Sequence, residues 1–310
     1  MKQERYINLF TDFGFKRVFG QEANKDLLID FLNQVLPAEY EIEDLSFSKN
    51  EHSGAIEEER KAVFDLHCIS KKQERFVVEL QKAKQKFFKD RTLYYSAFPI
   101  TEQAETGDWN FRLSPVFMIG ILNFSFDESR PEEIRHHIML RNEHCEVFYE
   151  KLHFIYLEVR KFTKTLAECE NRFEKWLWIF KNLPNLEEVP EELMGDMLSK
   201  VFKIAELAKM NPVEQEAYVR SLKYLRDLHN VIDTAFEDGE QSGLEKGKQI
   251  GLEKGKQIGL EKGEQIGLEK GAHKKARETA RKMKNRGFAD EDISELTGLS
   301  LDDIKGLSRE

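Results

Sequence analysis

Apolar residues along the first part of the chain change period more than once. From Asn24 to Leu36 they recur at helical spacing, with Leu27, Leu28, Phe31, Leu32 and Val35 on one side and Pro37 closing the run, so an amphipathic helix is expected there. From about residue 40 to 81 the period falls to two, and Val63–Ile69 and Phe76–Gln81 read as strands on either side of the polar loop Ser70–Glu74. Residues 83–105 return to a helical pattern carrying Phe87, Tyr94, Tyr95 and Phe98. The continuous apolar run Val116–Leu122 has the character of a strand buried on both faces, and Phe154–Val159 is a further apolar strand. This order predicts an α/β (α+β) fold, a mixed sheet with flanking helices. Residues 165–238 read as helical throughout, a helical extension with Trp176, Trp178, Phe180, Leu198 and Phe202 as its core.

Beyond residue 238 the pattern becomes a repeat. GLEKGKQI occupies 243–250 and 251–258, GLEKGEQI occupies 259–266, and glycine recurs every fourth residue from Gly239 to Gly271. Each interior glycine costs a helix roughly 0.5–1 kcal/mol relative to alanine, so a lone helix of this composition is marginal and packing must supply the rest. A four-residue step exceeds 3.6, so the glycine stripe winds around the helix and favours a right-handed crossing with a partner helix. The tail is therefore expected to join copies of the chain into a homo-oligomer. Interleaved Glu and Lys exclude membrane insertion. The segments Ala276–Gly287 and Asp290–Ile304 predict short helices around a glycine turn, with Ser300 as an N-cap. They read either as a helix-turn-helix or as a protein-interaction element, since Asp302 and Asp303 would face phosphates unfavourably. The expected segments are a sheet core over 1–165, the helical extension over 166–238, the repeat tail over 239–272 and a basic C-terminus over 273–310.

Three scattered cysteines, Cys68, Cys145 and Cys169, fit neither a disulfide framework nor a zinc spacing, and a reducing cytoplasm is the expected setting. The opening MKQERYINLF has no long apolar segment, and no run approaches the roughly 18 apolar residues of a membrane span. The net charge of −9 argues at first against nucleic acid. Its distribution changes that reading: residues 71–91 carry +5 and residues 273–286 carry +6, which leaves −20 for the remainder. Two basic patches on an acidic body are permissive for DNA.

The stretch with chemical content is Asp65 in the first strand and Glu79 and Gln81 in the second. A loop closing symmetrically about Lys72 makes paired positions sum to 144, which sets Asp65 opposite Glu79. Alternation then puts Gln81 and His67 on their face and turns Phe64, Leu66, Val78, Leu80 and Lys82 the other way. Carboxylates so placed repel unless compensated. Either a divalent cation such as Mg²⁺ compensates them, with substrate phosphate and water completing its shell, or Lys and Arg neutralise them at a solvated strand end.

The chain also resembles the Rpn recombination-promoting nucleases, the PD-(D/E)XK nuclease family transposases of bacteria, over most of its length. The resemblance rests on Thr11–Gly20, on Asp65, on Glu79–Gln81, on Arg91–Tyr95, on Ser114–Leu122, on Tyr156–Phe162 and on Gly298–Ile304. It implies a restriction-endonuclease-like αβββαβ core and a DNA endonuclease, linked to recombination or mobile elements, that uses Mg²⁺ with Mn²⁺ as a substitute. Asp65 and Glu79 would be the metal ligands, and Gln81 stands where the superfamily has lysine. A glutamine amide can orient a water but carries no charge and is no base at neutral pH, so Lys84 or Lys86 is the expected replacement cation. Asp12 is either a further acid for the metal or the N-cap of the helix holding Phe15 and Phe19. Lys82, Lys84, Lys86, Arg91 and Tyr94 are the expected DNA contacts, with helix packing the competing role for the tyrosines. His136 and His137 are assigned no metal, and Glu158 with Lys161 is expected to be a structural pair. The alternative function is a catalytically degenerate DNA-binding or oligomerising scaffold on the same fold.

Overall fold

A computed structural model describes residues 4–48, 51–52, 62–126 and 128–307. The chain divides into two compact units, Met1–Val231 and Ile232–Glu310. The first unit opens with α1 (Asp12–Phe19) and α2 (Lys25–Val35), followed by β1 (Leu45–Phe47) and the short pair β2 (Glu51–His52) and β3 (Ala62–Val63). Then come β4 (Leu66–Ser70), β5 (Arg75–Gln81), α3 (Phe88–Thr101), β6 (Val116–Leu122), β7 (Arg135–Arg141) and β8 (Val147–Glu158). Helices α4 (Arg172–Asn182), α5 (Ser199–Ala205) and the start of α6 (Pro212–Asn285) complete it.

Six strands form one mixed sheet in the order β1-β4-β5-β6-β8-β7. The central strands β5, β6 and β8 are parallel, and the flanking pairs are antiparallel. Parallel strands need both faces covered, and every residue of β6 is buried. On one face Leu66, Val78, Leu80, Ile119 and Leu157 pack beneath α1, α2, α4 and α5. Phe19, Phe31, Trp176 and Phe180 join those helices through ring contacts of 5.4–5.7 Å. The other face is covered by α3, whose Phe88 packs with Val77, Met118, Phe154 and Tyr156.

The β4–β5 hairpin has the expected register: Leu66 pairs with Val78 and Ile69 with Arg75, each summing to 144. The Ser70 backbone N–H donates to the Glu74 carbonyl, and Gln73 takes a left-handed φ of 66° to close the loop. Alternation does not extend past Leu66. Residue 65 is a bend, so Phe64 lies with Val77 on the α3 face, its ring 5.4 Å from that of Tyr95, rather than on the side of Leu66.

Two other expectations are corrected, and one strand was not anticipated. Residues 165–238 are not helical throughout, because Pro184 and Pro190 lack the donor a helix interior needs and 3₁₀ turns take their place between α4 and α5. Strand β7 has no counterpart in the sequence reading: its mostly exposed residues lack an alternating apolar face. Thr11, not Asp12, caps α1, its extended backbone letting the hydroxyl accept from the Gly14 N–H at 3.0 Å.

In the second unit α6 continues without a break through the glycine repeat to Asn285. After it, α7 (Asp290–Thr297) ends at Gly298, whose φ of +71° supplies the left-handed cap. Helix α8 (Leu301–Lys305) starts from Ser300, which accepts from the Asp303 N–H. Ala280 of α6, Ile293 of α7 and Leu299, Ile304 and Leu307 form a small core.

Candidate active site

The end of the β4–β5 hairpin holds the two carboxylates together by reciprocal bonds. The Asp65 backbone N–H donates to Glu79 Oε1 at 3.2 Å, and the Leu80 N–H donates to Asp65 Oδ2 at 2.8 Å. The bend at Asp65 thus replaces the next rung of the ladder with side chain to backbone bonds. Gln81, two residues on and on the same face as Glu79, donates its amide to Glu79 Oε2 at 3.3 Å. Each acid is therefore fixed by the strand bearing the other, a rigidity that loop placement would not give.

The pairing of β5 with β6 and of β6 with β8 sets Glu79, Gly120 and Tyr156 in one row across the sheet. A Cβ on Gly120 would come within 2.8 Å of the Tyr156 ring. Glycine at this position lets the ring lie across β6 toward Glu79. Helix α3 closes the site from above with Arg91, Thr92 and Tyr95, and the enclosed cavity is only about 10 Å³. That is room for about one water.

Electrostatically the pair is short of positive charge. Glu79 is 9% exposed, and burial first and Asp65 second push its carboxyl up to about 8. Burial also raises Asp65 above the usual carboxylate range. Opposing those shifts are first the Leu80 N–H on Asp65 and the Asp65 N–H on Glu79, then Arg91, with Nη2 at 3.9 Å from Glu79 Oε2, and Lys16, which acts on both acids. Arg91 also donates to Gln85 Oε1 at 2.6 Å and lies over the Tyr95 ring.

The other expected residues are spread more widely. Asp12 stands in an ion pair with Lys82 at 2.7 Å, and Lys82 also lies 5.1 Å from the Tyr224 ring centre. Lys82 is thus turned from the α3 face and largely covered, while Asp12 acts on Asp65 only through its charge. Lys84 and Lys86 are exposed in the loop before α3, and Tyr94 is exposed on α3. The leading cations acting on the two acids are Lys16, Lys82 and Arg91, so Lys16 is the residue the sequence reading missed as a cation. Its signal was its place four residues after Asp12, which puts both on one side of α1. His67 is buried beside the Phe64 ring. His136 Nε2 lies 2.8 Å from Glu158, and Lys161 Nζ lies 3.1 Å from the same carboxylate. His137 meets His153 at 3.0 Å.

Among the described residues no group of three or more His, Cys, Asp or Glu side chains gathers at ligand distance. The donor chemistry of Asp65 and Glu79 nevertheless fits a hard divalent ion. Two adjacent carboxylates, both raised by burial and Glu79 further by the charge of Asp65, are the arrangement that such an ion would relieve. A family model described as PD-(D/E)XK nuclease family transposase matches residues 9–235. No curated protein and no solved structure matches the chain.

Proposed function

Because the chain belongs to the PD-(D/E)XK nuclease family transposases, we propose that it is a DNA endonuclease whose divalent ion is held by Asp65 and Glu79. The observation that carries this reading is the carboxylate pair, Glu79 buried and Asp65 half-buried, each member anchored by the backbone that bears or follows the other. Mg²⁺ suits two carboxylates with the remaining positions left to water and phosphate oxygens, and Mn²⁺ substitutes for it. When bound, the ion supplies Lewis-acid stabilisation of charge at phosphorus and a more acidic water.

The protein's own groups divide the remaining work. Gln81 gives its amide N–H to Glu79, which leaves its carbonyl oxygen to accept from the attacking water and orient it. Arg91 and Lys16 supply the positive charge that the superfamily's lysine would otherwise bring to the site. Lys82 holds Asp12 near Asp65 as a positioning pair. Lys84, Lys86, Arg91 and Tyr94, in and after the loop entering α3, are the proposed DNA contacts. The repeat joins copies of the chain through the apolar side chains it leaves exposed, among them Leu252, Leu260, Ile258 and Ile266. Two active sites brought together in this way would permit cleavage of both strands, as recombination or mobile-element movement requires.

One observation favours the second reading, a DNA-binding scaffold without catalysis: the cavity beside Glu79 is far smaller than a phosphodiester. Supercoiled plasmid incubated with Mg²⁺, Mn²⁺, Ca²⁺ or EDTA separates the two readings. Nicking with Mg²⁺ or Mn²⁺ is expected, with none in EDTA and none by a folded Asp65→Ala, Glu79→Ala variant. Equal inactivity of both proteins, with both still shifting DNA on a gel, would leave the scaffold reading.

A further inference from the structure

The last turns of α6 carry a different surface from the repeat that precedes them. A cavity of about 620 Å³ opens in the second unit against this helix, with Leu307 on its wall. At about 100° per residue, Lys274, Arg277 and Arg281 fall within roughly 40° of Lys270 around the helix axis. The four cations make one exposed row along the cavity. Glu269 and Glu278 also border it, but each lies about 80–100° from Lys270, on opposite sides of the row. The centre line is therefore cationic, with acids only at its edges.

The rest of the helix circumference shows why the row stays open. Ala276, Ala280 and Met283 face the small core made with α7 and α8, so the apolar side of this segment is already covered. Lys284 is used inside the unit, donating to the Ile304 carbonyl at 2.6 Å. Asp303 of α8 is held below the usual carboxylate range first by the Ser300 hydroxyl, with smaller contributions from the charges of His273 and Arg277. Among the described residues, none of the four cations has an ion-pair partner. Like charges three and four residues apart oppose helix formation, so the row is a cost to the free helix that an anionic ligand would remove.

We infer that this groove is a second nucleic-acid contact, in which Lys270, Lys274, Arg277 and Arg281 hold a run of DNA phosphates away from the carboxylate site. The row is about 16 Å long at 1.5 Å per residue, and duplex DNA presents roughly ten phosphates over that length. Guanidinium groups match phosphate oxygens in pairs, and ammonium groups add point charge. A membrane surface is disfavoured because an interfacial helix needs an apolar face beside its basic one, and here that face is buried in the core with α7 and α8. The inference rests on the DNA reading of the first unit and adds the groove as a site that holds substrate without cutting it.

The test uses the full chain carrying Asp65→Ala and Glu79→Ala, so that bound DNA is not cut, with a fluorescent duplex followed by anisotropy across a salt series. Replacing the four cations with alanine raises helix propensity, and circular dichroism verifies that the helix is kept. The variant should bind at least ~10-fold more weakly near 0.1 M salt, with a log–log salt slope smaller by about 3.6, at roughly 0.9 for each of the four phosphates no longer neutralised. A control that replaces Lys246, Lys248, Lys254 and Lys256 with alanine removes the same charge from the repeat, and its slope should change by less than about 1. Equal losses in both variants, or no loss in either, overturn the groove. So does displacement of DNA from the groove by polyglutamate or by phosphatidylserine vesicles at equal charge. Plasmid cleavage by the wild type with groove-independent binding sinks the groove alone. Groove-dependent binding with no cleavage under any metal condition sinks the nuclease reading alone.

Discussion

Replacing Glu79 with glutamine should make the metal-free protein more stable at alkaline pH while destroying its metal response. The Glu79 carboxyl titrates near 8 in the fold and near 4.5 when unfolded, because burial and Asp65 both disfavour its charge. Between those values the native state binds more protons than the unfolded chain. Its contribution is therefore fully present below about pH 4.5 and is lost as pH rises through 8. At about 1.4 kcal/mol per pH interval, the loss approaches roughly 4–5 kcal/mol above pH 8, a large share of a typical domain's stability. Asp65, raised by burial, contributes with the same sign. Glu79→Gln keeps the shape, stays neutral and removes the largest part of this dependence. Urea unfolding in EDTA, followed by fluorescence of the fully buried Trp176, should show wild-type stability falling from about pH 6 to 8.5 and that of the variant nearly level. Adding Ca²⁺ at the alkaline end should restore the wild type, since a ligand that binds only the native state stabilises by mass action, and should leave Glu79→Gln unchanged. Parallel pH profiles for the two proteins would refute the reasoning, whatever the activity assays gave.

Two other perturbations have defined outcomes. Lys161→Met should destabilise the first unit by about 3–5 kcal/mol, because it strips the ammonium at 3.1 Å from a fully buried Glu158; thermal unfolding measures this, and adding Glu158→Gln should recover most of the loss if the cause is the stranded charge. Deleting residues 251–258, one repeat unit, shortens the helix by about 12 Å and rotates its C-terminal turns by about 80°. That deletion should leave Trp176 unfolding unchanged, while removal of 243–271 should reduce the mass seen by light scattering to that of one chain; an unchanged mass would exclude the repeat as the joining element.

The parts of the fold that were legible in the sequence are those where one local rule decides. A polar loop of five residues between two apolar runs fixed the hairpin register, because a one-residue slip would turn Leu66 away from the core it shares with Val78 and Leu80. The all-apolar Val116–Leu122 could only be an interior strand, and it is one. Local rules failed where tertiary structure chose otherwise. Strand β7 gains its place by pairing with β8 at the sheet edge, where no apolar alternation is required of it. Phe64 left the face that alternation assigned it because the chain bends at Asp65 and the aromatic cluster with Tyr95 and Phe98 takes the ring.

At the candidate site the same division separates the acids from their counter-charges. Asp65, Glu79 and Gln81 lie within one hairpin, so their proximity follows from register alone, although the bonds each carboxylate makes to the opposite strand depend on the bend. Which cation answers them is decided between elements that are distant in sequence. Lys84 and Lys86 are near in the chain and yet exposed, and Lys82 is drawn to Asp12 on the other face. Lys16 comes from α1 and Arg91 from α3, which approach the hairpin from opposite sides of the sheet. A lysine in the strand itself, as the superfamily pattern has it, sets its charge by alternation; a glutamine there hands that task to the packing of two helices. The positive charge at this site therefore depends on how α1 and α3 dock, and a rearrangement of either helix that left the hairpin intact would change the ionisation of Glu79 without moving either carboxylate.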